Sequence, residues 1–213
     1  MTIKANISLP NFESEFNKNI NLEIKKIIQK NIGKVISNIE RRLQDQVRKL
    51  ISDSEEVASI RNGQLTGELG IVATSNIDVI IEQFSQSVEV RYLPRGKFGT
   101  LVISIINSDY SDVLSMPESS YIYSSRSGRS GVIEWLRWLL LEGRSTIVAG
   151  YDFQGGGGGR TGRGIMVRRQ NEGWSIPSRF AGTASDNFVT RSLANIDDII
   201  ESIIRQEITK GFK

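Results

Sequence analysis

The sequence predicts an α+β fold: a long N-terminal helix, an antiparallel sheet of about four strands covered by helices, and an amphipathic C-terminal helix. Three observations carry that expectation. Apolar residues recur at helical spacing through the first fifty positions. They do so again through the last thirty. Two stretches between them, around 88–107 and 145–169, alternate with a period of two or run β-branched, as strands do. Helices from both ends of a chain, with antiparallel hairpins between them, place the helices on one face of a sheet. The chain then divides into residues 1–53, a helix that projects or packs on another subunit, and 54–213, an α+β domain with a glycine-rich hairpin over 146–169.

After Pro10, residues 13–52 read as one amphipathic helix with Asn11 or Ser14 as its N-cap. Ile28, Ile32, Val35, Ile39, Leu43 and Leu50 fall within an arc of about 80°. Lys25, Lys26, Lys30, Lys34, Arg41, Arg42 and Lys49 occupy much of the remaining circumference. The stripe keeps its phase across Gly33, so the helix is expected to continue through it. Its spacing departs from a strict heptad, which argues against a long two-stranded coiled coil. Forty residues at about 1.5 Å each span about 60 Å, more than the diameter of the domain that the remaining chain could build. Part of the helix should therefore project or meet another chain.

Residues 54–63 form a short helix ending near Gly63, and QLTGELGIV, with Gly67 and Gly70, reads as a tight connection. NIDVIIEQFSQS is a further short helix, capped by Asn76, with Ile77, Ile80, Ile81 and Phe84 at helical spacing. SVEVRYL and TLVISIIN are strands of a hairpin turning at PRGKFG. Residues 107–131, rich in Ser, Asp, Tyr and Gly, are expected to be a long loop with at most a short strand at SYIYS. VIEWLRWLLLEG is a compact helix closed by Gly143, with Ile133, Trp135, Leu136, Leu139 and Leu140 supplying its apolar surface. STIVAGYDF and GIMVRR are strands on either side of GGGGGRTGR, and NEGWSIPSRFAG reads as irregular. The last helix, about 185–208, aligns Val189, Leu193, Ile196, Ile200, Ile203 and Ile204. Thr183 and Asp186 precede it with the spacing of a capping box.

The composition excludes many functions. The 213 residues contain no cysteine and no histidine. Thiolate nucleophiles, disulfides, cysteine-type zinc sites, imidazole ligands and histidine-based triads are therefore absent. No catalytic, metal-binding or cofactor-binding residues are assigned, and no enzyme activity is expected; a carboxylate enzyme is the remaining catalytic alternative. The net charge is only +3, but it is segregated. Residues 1–52 carry 10 basic and 5 acidic groups, 53–90 carry 1 and 7, and 155–180 carry 5 and 1. Such a distribution suits either solvated faces of a monomer or matched surfaces of neighbouring copies. No apolar run approaches the roughly 18 residues of a membrane span, and the first residues lack a signal-peptide core, so a soluble, unprocessed chain with no membrane partner is expected.

The glycine run contains a formal GxGxxG at Gly157, Gly159 and Gly162, but it leads into a strand instead of the helix N-terminus that a bound phosphate requires. Two readings remain. It is a flexible hairpin tip, or a tip whose Arg160 and Arg163 are ordered by a neighbouring subunit or a nucleic-acid backbone. Arg168, Arg169 and Arg179 extend the positive patch, and the lack of aromatics over 155–173 confines any DNA contact to sequence-independent electrostatics. Trp135, Trp138 and Trp174 read as packing or subunit-interface residues, not a ligand pocket. Asp197 and Asp198 read as a solvated face.

SIRNGQLTGELGI (59–71), IEWLRWLLLEG (133–143), RTGRG (160–164) and the run from Trp174 through FAGTASDNFVTRSL to Leu193 together resemble neck or tail-completion proteins of tailed bacteriophages, the head–tail connector components. The order and spacing extend over most of residues 55–205. The resemblance implies a non-enzymatic virion protein made in the host cytoplasm. It implies a homo-oligomeric ring, hexamer or dodecamer, at the head–tail junction, beside portal, adaptor or tail proteins and around a DNA passage. Arg160, Arg163, Arg168 and Arg169 are then subunit-interface or lumen-facing residues. The alternative is a non-specific DNA-binding protein using the basic helix and hairpin.

Overall fold

The computed structural model of the chain describes residues 12–94, 99–124, 130–145, 147–159 and 162–212. Helix α1, Phe12–Ser52, is a single run of 41 residues. It passes through Gly33 because that position lies on an open side, where a Cβ would meet nothing within 4 Å, so the glycine costs only its helix propensity. Ser14 lies inside the helix, and Asn11 lies outside the described residues. The buried stripe Val35, Ile39, Leu43, Val47 and Ile51 recurs every four residues, or about every turn, and forms the spine of the core.

Helix α2, Glu55–Asn62, starts at Ser54, whose hydroxyl accepts from the Val57 amide, and stops at Gly63. The expected tight connection after it is itself helical: α3, Gln64–Glu68, is held by the buried Thr66 hydroxyl donating to the Ser59 carbonyl. Helix α4, Asn76–Gln86, buries Ile77, Ile80, Ile81 and Phe84, while Ser75 takes the cap position expected of Asn76. Arg48 of α1 joins α4 by a fork to Glu82 at 2.7 and 2.9 Å.

The sheet differs from the expectation. Instead of one four-stranded sheet, the described residues form three separate two-stranded antiparallel pairs. Strands β1, Glu89–Leu93, and β2, Thr100–Ser104, pair with Val90 opposite Ile103. Strands β3, Tyr121–Ser124, and β4, Ser130–Ile133, form a hairpin within the region expected to be a loop. That region also holds α5, Ser111–Leu114, and a 3-10 turn at Pro117–Ser119. Val132 and Ile133 are therefore strand, and α6 is confined to Trp135–Leu140. Strands β5, Val148–Gly155, and β6, Gly164–Trp174, form the glycine-tipped hairpin with an irregularity at Gly150, whose φ is +75°. Strand β6 continues through NEGW, which reads as irregular in the sequence.

Strand β1 packs on α1, and β6 meets α3. Val90 is buried beside α1, and Phe84 of α4 meets the rings of Tyr110 and Phe188 edge-on at 6.2 and 6.4 Å. The C-terminal helix is broken in two: α7, Phe188–Ser192, and α8, Ile196–Gly211. The capping box belongs to Asn187 and Thr190, not to Thr183 and Asp186, which close a turn just upstream. Helix α8 lies antiparallel to α1, since Ile199 and Ile203 adjoin Arg42 and Gln46, Glu207 meets Arg42, and Gly211 abuts Val35.

Candidate interaction surfaces

The first candidate is the glycine hairpin. Gly156, Gly158, Gly159 and Gly162 take positive φ, which the tip between β5 and β6 requires. Arg163 closes that tip against its own chain: its guanidinium donates to the Asn62 carbonyl at 2.6 Å and reaches the Gly63 carbonyl at 3.4 Å. These carbonyls end α2, so the cation sits at the negative end of a helix. Gly67 of α3 makes the approach possible, because a Cβ there would lie 3.0 Å from the Arg163 Cβ and 3.1 Å from the Phe153 ring. Arg163, Gln64, Phe153 and the tip glycines line a shallow hollow of about 420 Å³.

The other arginines do not converge on one point. Arg168 is exposed, Arg169 pairs with Asp152 across the strands at 3.4 Å, and Arg160 lies outside the described residues. Arg179 lies over the Phe180 ring at 4.4 Å and donates to the Gln64 side chain at 2.8 Å. Beneath this cluster Glu68 is buried. Burial pushes its carboxyl up from the ordinary value, against a hydrogen bond from Gln64 and the nearby Arg179 charge. Its Oε2 has no hydrogen-bond partner among the described residues.

The tryptophans are placed by packing. Trp135 is buried with its indole N–H donating to the Glu118 carbonyl at 3.0 Å; Trp174 is buried and Trp138 is half-buried against the same core. Asp197 and Asp198 are exposed in the first turn of α8, where negative charge favours a helix N-terminus. Among the described residues no group of three acidic, cysteine or histidine side chains converges as a metal site would. No helix among the described residues is long and apolar enough to cross a membrane.

The second candidate is a surface that the sequence reading missed. Ile24, Ile27, Ile28 and Ile32 of α1 face Ile204, Ile208 and Phe212 at the end of the chain, with Tyr92 and Leu101 of the first hairpin between them. They enclose an open apolar groove of about 660 Å³. Gly211 lets α8 descend onto α1 here, because a Cβ would collide with Val35. Ile20, Leu22 and Ile27 are 40, 49 and 50% exposed, an unusual density of apolar surface on a helix flanked by lysines. The signal was present in the sequence. N-terminal to Gly33, Ile20, Ile24 and Ile27 widen the stripe by about 80° to one side, more than one supporting face requires.

No protein-family model, curated protein or solved structure matches this chain.

Proposed function

We propose that this chain is a structural subunit of the neck or tail-completion region of a tailed bacteriophage. Copies form a ring at the head–tail junction, joining tail to capsid beside portal, adaptor or tail proteins and lining the DNA passage. Its work is assembly, performed by contact surfaces rather than by reacting groups. The observation that carries this reading is the apolar groove along Ile24–Ile32 of α1, where exposed isoleucines extend beyond the cover that the described residues provide. A surface of that kind belongs to a subunit completed by a neighbour. The resemblance in residues 55–205 supplies the setting.

Electron microscopy of particles carrying a tagged copy tests it. Density for the tag on the head–tail axis is expected; density elsewhere on the particle, or none, overturns the reading. A second reading, sequence-independent DNA binding, draws on the exposed Lys25, Lys30 and Lys34 of α1. It requires duplex affinity that falls steeply with salt, and no binding at low salt removes it. The hairpin contributes less to it, because Arg163 is engaged with backbone carbonyls and Arg169 with Asp152.

A further inference from the structure

We propose that the groove is filled by a second copy of this chain, which inserts an apolar ridge made by Val72, Ile122 and Val132. The inference deepens the ring reading and rests on it. Ile122 and Val132 are direct cross-strand partners and are 75 and 61% exposed. Val72 is 66% exposed and lines the same small cleft as Ile122. Three large apolar side chains standing together in water form a knob, as the groove forms a hole.

The two features lie far apart along α1. The groove uses Ile24–Ile32. The ridge belongs to the end of the molecule where Arg61 grips Ser52, the last residue of α1, and Tyr121 donates to the Leu69 carbonyl. From Ile28 to Ser52 the helix advances about 36 Å at 1.5 Å per residue. A chain cannot reach its own groove with its own ridge, so the contact joins one copy to the next.

Charge favours the same pairing. Over residues 20–34 the groove helix carries Lys25, Lys26, Lys30 and Lys34 against Glu23 alone. Of the seven acidic residues in 53–90, Glu56 and Glu68 are buried and Asp78, Glu82 and Glu89 pair with arginines, which leaves Asp53 and Glu55 exposed beside Ser52 at the ridge end of α1. Groove against groove would oppose two lysine rows, which disfavours a twofold contact. The contact is heterologous, and repetition of such a contact closes a ring where the rotation permits.

Sedimentation velocity of two variants tests the pairing: Ile122→Asp with Val132→Asp removes the ridge, and Ile27→Asp with Ile208→Asp removes the groove. All four positions are exposed, and an unchanged melting temperature confirms folding. The wild type should associate below about 100 µM and weaken with salt. Each variant alone should associate at least about thirtyfold more weakly. An equimolar mixture should give a dimer and nothing larger, since it holds one intact ridge and one intact groove. Several outcomes overturn the proposal: a monomeric wild type at that concentration, a mixture that stays monomeric, or a ridge variant that associates like the wild type. The last result would mean that the groove is filled by a twofold partner or by the chain's own first residues. Particle imaging judges the ring separately. A tag on the axis with an unaffected ridge variant keeps the ring and removes this interface, whereas a tag off the axis with a dimerising mixture does the reverse.

Discussion

Replacing Asn187 with Ala should cost about 3 kcal/mol. Its side chain is fully buried and joins four parts of the fold. The Oδ1 accepts from the Val189 and Thr190 amides at 3.0 and 3.1 Å, capping α7. The Nδ2 donates to the Tyr110 hydroxyl at 2.9 Å, the Thr183 carbonyl at 2.8 Å and, more weakly, the Leu140 carbonyl at 3.3 Å. Loss of an N-cap is worth about 1 kcal/mol. The buried Tyr110 hydroxyl and Leu140 carbonyl, each losing its Asn187 donor, add about 1 kcal/mol apiece, while the exposed Thr183 carbonyl keeps the Asp186 amide. At about 2–4 °C per kcal/mol for a chain of this size, the melting temperature should fall by about 6–12 °C. The assay is urea unfolding with unchanged slope, compared with Asn195→Ala. Asn195 holds the cap position of α8 but makes no side-chain cap bond, so its replacement should change stability by under about 0.5 kcal/mol. An Asn187→Ala loss below about 1 kcal/mol, or equal losses in the two variants, would refute the reasoning.

Glu68 and Glu207 should give opposite pH dependences. Burial raises the Glu68 carboxyl above its ordinary 4.5, so its contribution is most favourable below that value and is lost as pH rises through the window above it; Glu68→Gln should remove this slope and unfold at higher urea near neutrality. Glu207 is held below 4.5 by Lys210 and then by Arg42, so its contribution is present above 4.5 and is lost as pH falls, and Glu207→Gln should flatten the acid limb of the same titration. Arg163→Ala should unpin the hairpin from α2, costing no more than about 1 kcal/mol because the side chain is exposed, yet speeding tryptic cleavage after Arg160 and Arg168, the sites within 155–168 that the variant keeps, severalfold; equal rates at those two sites would show that the two carbonyl bonds do not hold the tip. Gly182→Ala places a Cβ onto the Leu139 carbonyl oxygen and should cost at least about 3 kcal/mol by forcing backbone to move, which the urea midpoint reads directly.

The parts of the fold legible in the sequence were those set by long local periodicity. The stripe of α1 kept its phase across Gly33, and the facing residues Val189, Ile196 and Ile203 are buried even though the helix that bears them is split. Of the β3–β4 hairpin only the short strand at SYIYS was legible; β4 was hidden because it is four residues long and runs straight into the apolar residues of α6. Ile133 also mimics a helical step with Leu136 and Trp135, so the strand was absorbed into α6. Whether hairpins join into one sheet depends on what covers their edges and faces, and here β1 lies against α1 and β6 against α3, both far away in sequence. Neither ridge nor groove has a motif. They arise where Tyr92, Phe212 and Ile24, or Val72 and Ile122, are gathered from separate segments, and only the widened stripe of α1 pointed toward one of them.

The antiparallel pairing of α1 with α8 also dictates when this chain becomes a protein. Arg42 meets Glu207 across a separation of 165 residues. At ribosomal rates of about 5–20 residues per second, α1 waits roughly 10–30 s for its partner helix. Helix α4 and strand β1 follow soon after α1 and cover one side of it, whereas the side that α8 covers stays open throughout that interval. Two neighbouring polypeptides on one polysome could join by their first helices before either has folded. Variants in α8 should therefore lower the yield of native chains more than their effect on finished molecules implies.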